Sequence, residues 1–329
     1  MASDARAYFR TILSLWITLC AITWYYTVNQ HLPIFIAVAF LLALVLETAL
    51  YLATGFTATR EAFESLGPPP LRALLLAFSA AAPYLIYSLI SGTFQWRWFG
   101  LLGLLASIAA SWFIAQPRRA PLFDILFLAF MAGVFLTKIL GRIYIDLSPR
   151  LPADILGQLM WIRVGVVSVL SFRKLGGIGF GFIPSARDWK VGVQNFIAFL
   201  PVGIALGMWL RFAQPRPMAG PWWKVVVIAL GTFCAFLWVV ALSEEFFFRG
   251  VLQQAFAKLT RNRWSGLLLA SVAFGLVHLP FRHFPNWQFA ILAFAAGLFY
   301  GIAYMRARSI RAAMVTHALV VTTWRVFFS

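Results

Sequence analysis

An all-α, polytopic membrane fold is what this sequence predicts, and three observations predict it. The chain is 62% hydrophobic and only 11% charged, with a mean hydropathy of +0.85. Its apolar residues fall in recurrent runs of about 20, the length an α-helix needs to cross ~30 Å of hydrocarbon. Short connectors rich in Pro, Gly and Arg separate the runs. A transmembrane barrel would show alternating segments of ~10 residues instead. A soluble chain of 329 residues would have nowhere to bury so much apolar surface.

Taken in order, the runs predict a bundle of about ten or eleven helices, at roughly 9–28, 33–55, 72–92, 98–115 and 121–140. A second set follows at roughly 156–172, 191–211, 223–256, 264–280, 287–305 and 310–328. The first run has no small-residue cleavage site and reads as a retained span, not a signal peptide. Gly67-Pro68-Pro69-Pro70 is a break that no helix carries through. The connector 141–155, with Pro149 and Pro152, divides an N-terminal region of about five spans (1–155) from a second region (156–329). Gly176-Gly177-Ile178-Gly179-Phe180-Gly181 lacks dinucleotide-fingerprint spacing and reads as a loop. It leads through Arg187-Asp188-Trp189-Lys190 into a helix start, with Trp189 as a headgroup-level anchor.

The formal charge of +17 excludes little, because its arginines lie mostly in connectors. There they set topology and touch anionic headgroups, so the expected partner is the bilayer and not nucleic acid. Lys and Arg concentrate in alternate connectors, among them Arg60/Arg72, Arg118/Arg119 and Arg173/Lys174, which favours a cytoplasmic N-terminus. The expected location is a bacterial inner (cell) membrane. Cys20 and Cys234 both sit in apolar runs and support neither a disulfide nor a thiolate metal site.

Chemistry concentrates at Ser243-Glu244-Glu245-Phe246-Phe247-Phe248-Arg249-Gly250. Charge at membrane depth costs at least ~2.5 kcal/mol per residue, so it needs a partner or a role. Glu245 and Arg249, at i and i+4, can meet on one helix face, which leaves Glu244 over. Two of the four histidines, His278 and His317, also lie in apolar runs, whereas His31 and His283 lie in loops. Polar groups on separate apolar segments are stabilised by converging. A carboxylate beside an imidazole can take a proton from water, and a second imidazole can stabilise an oxyanion. That equipment suits amide hydrolysis without a nucleophilic serine. Two histidines and two carboxylates can also hold a divalent metal, but there is no His-Glu-x-x-His pair, so no metal or other cofactor is expected.

Glu244-Glu245-x-x-x-Arg249-Gly250, then Phe274-x-x-x-His278, then His317 on the last run, resembles the CPBP family of CAAX prenyl proteases and bacteriocin-processing enzymes. The resemblance covers roughly 160–329, so 156–329 reads as a CPBP-like core and 1–155 as an addition to it. It implies a glutamic-type intramembrane endopeptidase acting on a membrane-associated peptide or protein. Glu244 would be the base that activates water with His278, and Glu245 and Arg249 the supporting pair. His317 would help hold the oxyanion. The family carries Asn or Asp four residues after that last histidine, where this chain has Val321; Thr322 or Thr323 is the candidate substitute. Val321 also keeps open a catalytically inactive relative, acting as a membrane binding or immunity protein. A proton-relay transporter is a third reading, disfavoured because no inverted repeat is evident.

Overall fold

The structure is a computed structural model that describes residues 2–114, 120–216 and 218–328. Among these residues there are thirteen continuous helices and no strands beyond one isolated bridge between Pro215 and Phe328. The chain is an integral, multi-pass membrane protein. Seven of its helices are long and apolar enough to cross a bilayer, and three more are apolar but shorter.

The first compact unit, Met1–Leu175, holds α1 (Ala2–Gln30), α2 (Ile34–Ala53), α3 (Thr57–Ser65), α4 (Pro69–Ser91), α5 (Trp96–Ser111), α6 (Pro121–Leu136), α7 (Ile139–Ile143) and α8 (Asp154–Arg173). The first six expected runs all appear here as helices, but α1 starts seven residues early, at Ala2, and α5 and α6, at 16 residues each, are among the shorter ones. The far end of the run 98–115, with Arg118 and Arg119, lies outside the described residues. The break at Gly67 (φ 133°) holds, and the prolines after it form the first turn of α4, where a missing N–H costs nothing. The short α3 occupies the connector beyond α2, and Asp4 Oδ2 accepts from its Ala58 N–H at 2.8 Å.

Helix α8 is the centre of this unit, packed by α2, α4, α5, α6 and α7. The compact unit therefore extends past the connector at 141–155 and takes in α8. Two arginines of α8 are buried against acids from other helices. Arg163 grips Glu47 of α2 through two bonds (2.8 and 3.0 Å) and also bonds the Ser79 hydroxyl and carbonyl. Arg173 grips Asp124 of α6 in the same fashion (2.6 and 3.0 Å). Arg72 and Arg173, both counted by position as connector charges, are in fact buried.

The second unit, Gly176–Ser329, holds α9 (Ala186–Trp209), α10 (Trp222–Thr260), α11 (Arg263–Leu276), α12 (Trp287–Ala307) and α13 (Ile310–Phe327). Four of these start on a side-chain cap, a feature worth about 1 kcal/mol each. Ser185 and Asp188 form a reciprocal capping box on α9, while Asn262, Asn286 and Ser309 cap α11, α12 and α13. Helices α9, α12 and α13 pack mutually, and α11 packs on both α10 and α12. The Gly192 position explains one close approach: an added Cβ would lie 2.8 Å from the Ala312 carbonyl oxygen. Trp189 is partly exposed and stacks on Phe233.

The glycine-rich segment does more than connect. The Ile178 carbonyl accepts from Ile310 N–H, the Gly179 carbonyl from the Ser309 hydroxyl, and the Gly177 carbonyl from the Tyr304 hydroxyl. Position 179 requires glycine on two counts, a left-handed φ of 63° and a would-be Cβ only 2.5 Å from Ser309 Cα. The segment is thus clipped across the α12–α13 turn, with Phe180 against Phe246 beside the paired glutamates.

Candidate active site

The two glutamates sit inside α10, where the helix changes its winding. Hydrogen bonding widens to i→i+5 over Phe236–Ala241 and again over Phe246–Gln253, leaving Leu242–Glu245 as a single α-helical turn between them. Such π-helical stretches redirect side chains and recur at functional sites. No sequence pattern announces them. The bulky, β-branched and aromatic residues around the pair are what the wider turn accommodates.

Glu245 is fully buried and uses both oxygens. Oε2 accepts from Arg249 Nε at 3.0 Å, the i,i+4 contact that the spacing allows. Oε1 accepts from His317 Nδ1 at 2.9 Å. A carboxylate only accepts, so the Nδ1 of His317 carries the proton in that bond and Nε2 is turned outward. That Nε2 lies 3.9 Å from Glu244 Oε2. Glu244 differs from its neighbour: its side chain is 29% exposed, and its Oε2 is buried without a hydrogen-bond partner.

His278 stands just beyond the end of α11. Its Nδ1–H donates to the Phe274 carbonyl at 2.6 Å, and a carbonyl cannot donate back. This bond fixes the tautomer, so in the neutral ring Nε2 is the free acceptor. Among the described residues neither nitrogen of His278 pairs with a carboxylate. The nearer imidazole to Glu244 is therefore His317, and His278 reaches the cluster through Phe274. The Phe274 ring lies 4.7 Å from the His278 ring and 6.0 Å from that of His317, and Arg249 packs over it at 5.0 Å.

Two supporting residues escape sequence reasoning. Tyr300 stacks on His317 (4.6 Å, 14° between planes) and is buried. Gly297 leaves room for the Arg249 head and the Phe274 ring, each about a van der Waals contact from where its Cβ would be. Their signal is faint, a Gly-x-x-Tyr within one more apolar run. The glycine after the arginine, Gly250, faces Ile178 of the glycine-rich segment at 2.9 Å from its would-be Cβ. Of the two threonines after Val321, Thr322 has a buried hydroxyl without a partner, and Thr323 is partly exposed. His31 and His283 are both exposed in loops.

With this geometry in place, the comparison with known families is informative. Residues 221–323, from the start of α10 into α13, match the family model of the Type II CAAX prenyl endopeptidase Rce1-like proteins. That family model is of the CPBP type, the family that the spacing of the glutamates and histidines resembles. The matched stretch contains both glutamates, Arg249, His278 and His317, and it supports a membrane endopeptidase activity of the CAAX type in general. The match spans less than half of the chain, and the first unit lies outside it. No curated protein and no solved structure matches the chain.

Proposed function

We propose that this protein is a glutamic-type intramembrane endopeptidase that hydrolyses a peptide bond in a membrane-associated substrate. The observation that carries this reading is the asymmetry of the two glutamates. Glu245 is fully engaged, by Arg249 and His317, whereas Glu244 keeps a buried oxygen without a partner beside His317 Nε2. A separation of 3.9 Å between two such polar atoms suits a shared water better than a direct bond.

In this reading Glu244, with the free Nε2 of His278, takes a proton from water. The hydroxide adds to the scissile carbonyl, the C–N bond breaks, and the proton passes to the leaving amine. His317 donates to the oxyanion as the imidazolium, with Nδ1–H on Glu245 and Nε2–H on the oxyanion. The hydroxyl of Thr322 supplies the second donor that Val321 cannot. Arg249 holds Glu245 in place and does not touch the substrate.

The length of α10 supports cleavage near a membrane face. Trp222 to Leu242 is 21 residues, about 31 Å at 1.5 Å per residue, which matches one hydrocarbon thickness. Trp222 and Trp223 are exposed, as interfacial anchors are, so the glutamates fall at the opposite boundary. The first unit, 1–155 with α8, is free to deliver a substrate or bind a partner. Deleting the whole first unit, residues 1–175, tests this by whether cleavage survives.

Comparing membrane and surface peptides from wild-type and Glu244→Gln cells tests the activity. Peptide products lost in the variant at equal protein level support the enzyme. Identical peptide profiles support the second reading, a silent relative acting by binding, which Val321 favours.

A further inference from the structure

Among the described residues, the head of Arg249 makes its hydrogen bond through Nε and packs over the Phe274 ring. Its two terminal nitrogens, Nη1 and Nη2, are buried and have no partner among the described residues. The same holds for Gln253 Oε1 and Ser271 Oγ. These three side chains are 0%, 3% and 0% exposed. They occupy one seam. Arg249 and Gln253 are one turn apart on α10, and Ser271 lies on α11. Across from them α12 shows only the backbone of Gly297 and Gly301, again one turn apart. A Cβ on Gly297 would lie 3.4 Å from Arg249 Nη2 and 3.3 Å from Ser271 Cβ, and one on Gly301 would lie 2.7 Å from Gln253 Oε1.

A helical bundle in hydrocarbon has no bulk water to satisfy such groups, so they must be satisfied inside the protein. The set is chemically complementary to water. Guanidinium N–H groups require an acceptor, and the amide oxygen and hydroxyl accept from a donor; water does both. An anion would answer the guanidinium but would be repelled by Gln253 Oε1 and by the Glu245 carboxylate on the same arginine.

We propose that Arg249, Gln253 and Ser271 enclose a bound-water site in the seam between α10, α11 and α12, and that Gln253 and Ser271 position Arg249, and through it Glu245, by way of that water. The positioning half rests on the proposed reading of the active site; the water site does not. Gly297 and Gly301 are also required by packing, because a Cβ on Gly301 would lie 2.2 Å from Leu267 Cδ1 and one on Gly297 3.3 Å from Phe274 Cδ1.

A high-resolution structure of the full-length protein in lipid tests the site directly. Ordered water is expected within hydrogen-bond distance of an Arg249 Nη atom and of Gln253 Oε1 or Ser271 Oγ. A dry seam, with the Nη atoms on protein carbonyls, overturns the proposal whether or not the protein cleaves anything. Ser271→Ala and Gln253→Met test the positioning, using the peptide that wild-type but not Glu244→Gln protein releases. Each is expected to lower kcat about tenfold, the scale of one lost hydrogen bond to a charged group, with KM changed less than about twofold. Unchanged kcat in both, with water present in the wild type, removes the positioning role. A protein that cleaves nothing but holds the water defeats the endopeptidase reading and leaves the site standing.

Discussion

Each unit of this protein buries a Glu–Arg pair, and the two pairs are built differently. In the first unit Glu47 and Arg163 meet through two parallel bonds, and Ser79 takes further guanidinium hydrogens. The pair joins α2, α4 and α8, whose sequence positions are far apart. In the second unit Glu245 and Arg249 meet through one bond along a single helix, the other carboxylate oxygen is given to His317, and Nη1 and Nη2 remain over. A saturated pair locks helices together. An unsaturated one keeps polar capacity for water and for a neighbouring base. Burial of charge alone thus does not set the two pairs apart; the leftover hydrogen-bonding capacity does.

The sharpest way to break this contrast is to neutralise the free carboxylate. Glu244→Gln keeps size and hydrogen bonding, and is expected to lower cleavage by about 10³-fold or more, within the range for a lost general base. Thermal unfolding in detergent should be unmoved; a large fall in stability would assign Glu244 to the locking class instead. Arg163→Met tests the other side. Leaving Glu47 buried without its partner should cost about 3–5 kcal/mol, and the double change Glu47→Leu/Arg163→Met should recover most of it. Equal stability of the single variant and the wild type would remove the lock.

Smaller changes sharpen the comparison within the site. His278→Asn retains a side-chain N–H for the Phe274 carbonyl but deletes the free Nε2. Activity should fall by about 10²-fold with little change in unfolding temperature. Paired changes at the end of α13 are expected to differ least. Thr322→Val should lower kcat by about tenfold, and Thr323→Val should leave it unchanged, because only the former hydroxyl is buried without a partner. Equal rates for both would exclude a threonine as the second oxyanion donor.

Much of the architecture was legible residue by residue. Apolar runs of bilayer length gave α1, α2 and α4 through α6 as well as α8 through α13, because hydrocarbon forces the backbone to satisfy itself within each helix. The break at Gly67 was equally readable, since Pro and Gly act locally, whereas the span expected from 191 begins earlier, at Ala186 behind the Ser185 cap. The pairing of Arg163 with Glu47 was not legible, as nothing local links α2 to α8. The positions of Glu244, Glu245, His278 and His317 were found the same way, as expensive groups in apolar surroundings.

What the sequence determined by itself is therefore the number and extent of the apolar helices, and which side chains are too costly to be incidental in them. Those properties follow from transfer free energies and backbone hydrogen bonding, which act within a few turns of chain. Only the tertiary structure decided that His317 bonds Glu245 and lies nearer Glu244 than His278 does, and that Arg249 Nη1 and Nη2 have no partner among the described residues. These depend on the widened turns of α10 and on the bare glycine face of α12, where segments some fifty residues apart come within contact distance. Distances across such a seam are set by packing between helices, and no single stretch of chain encodes them.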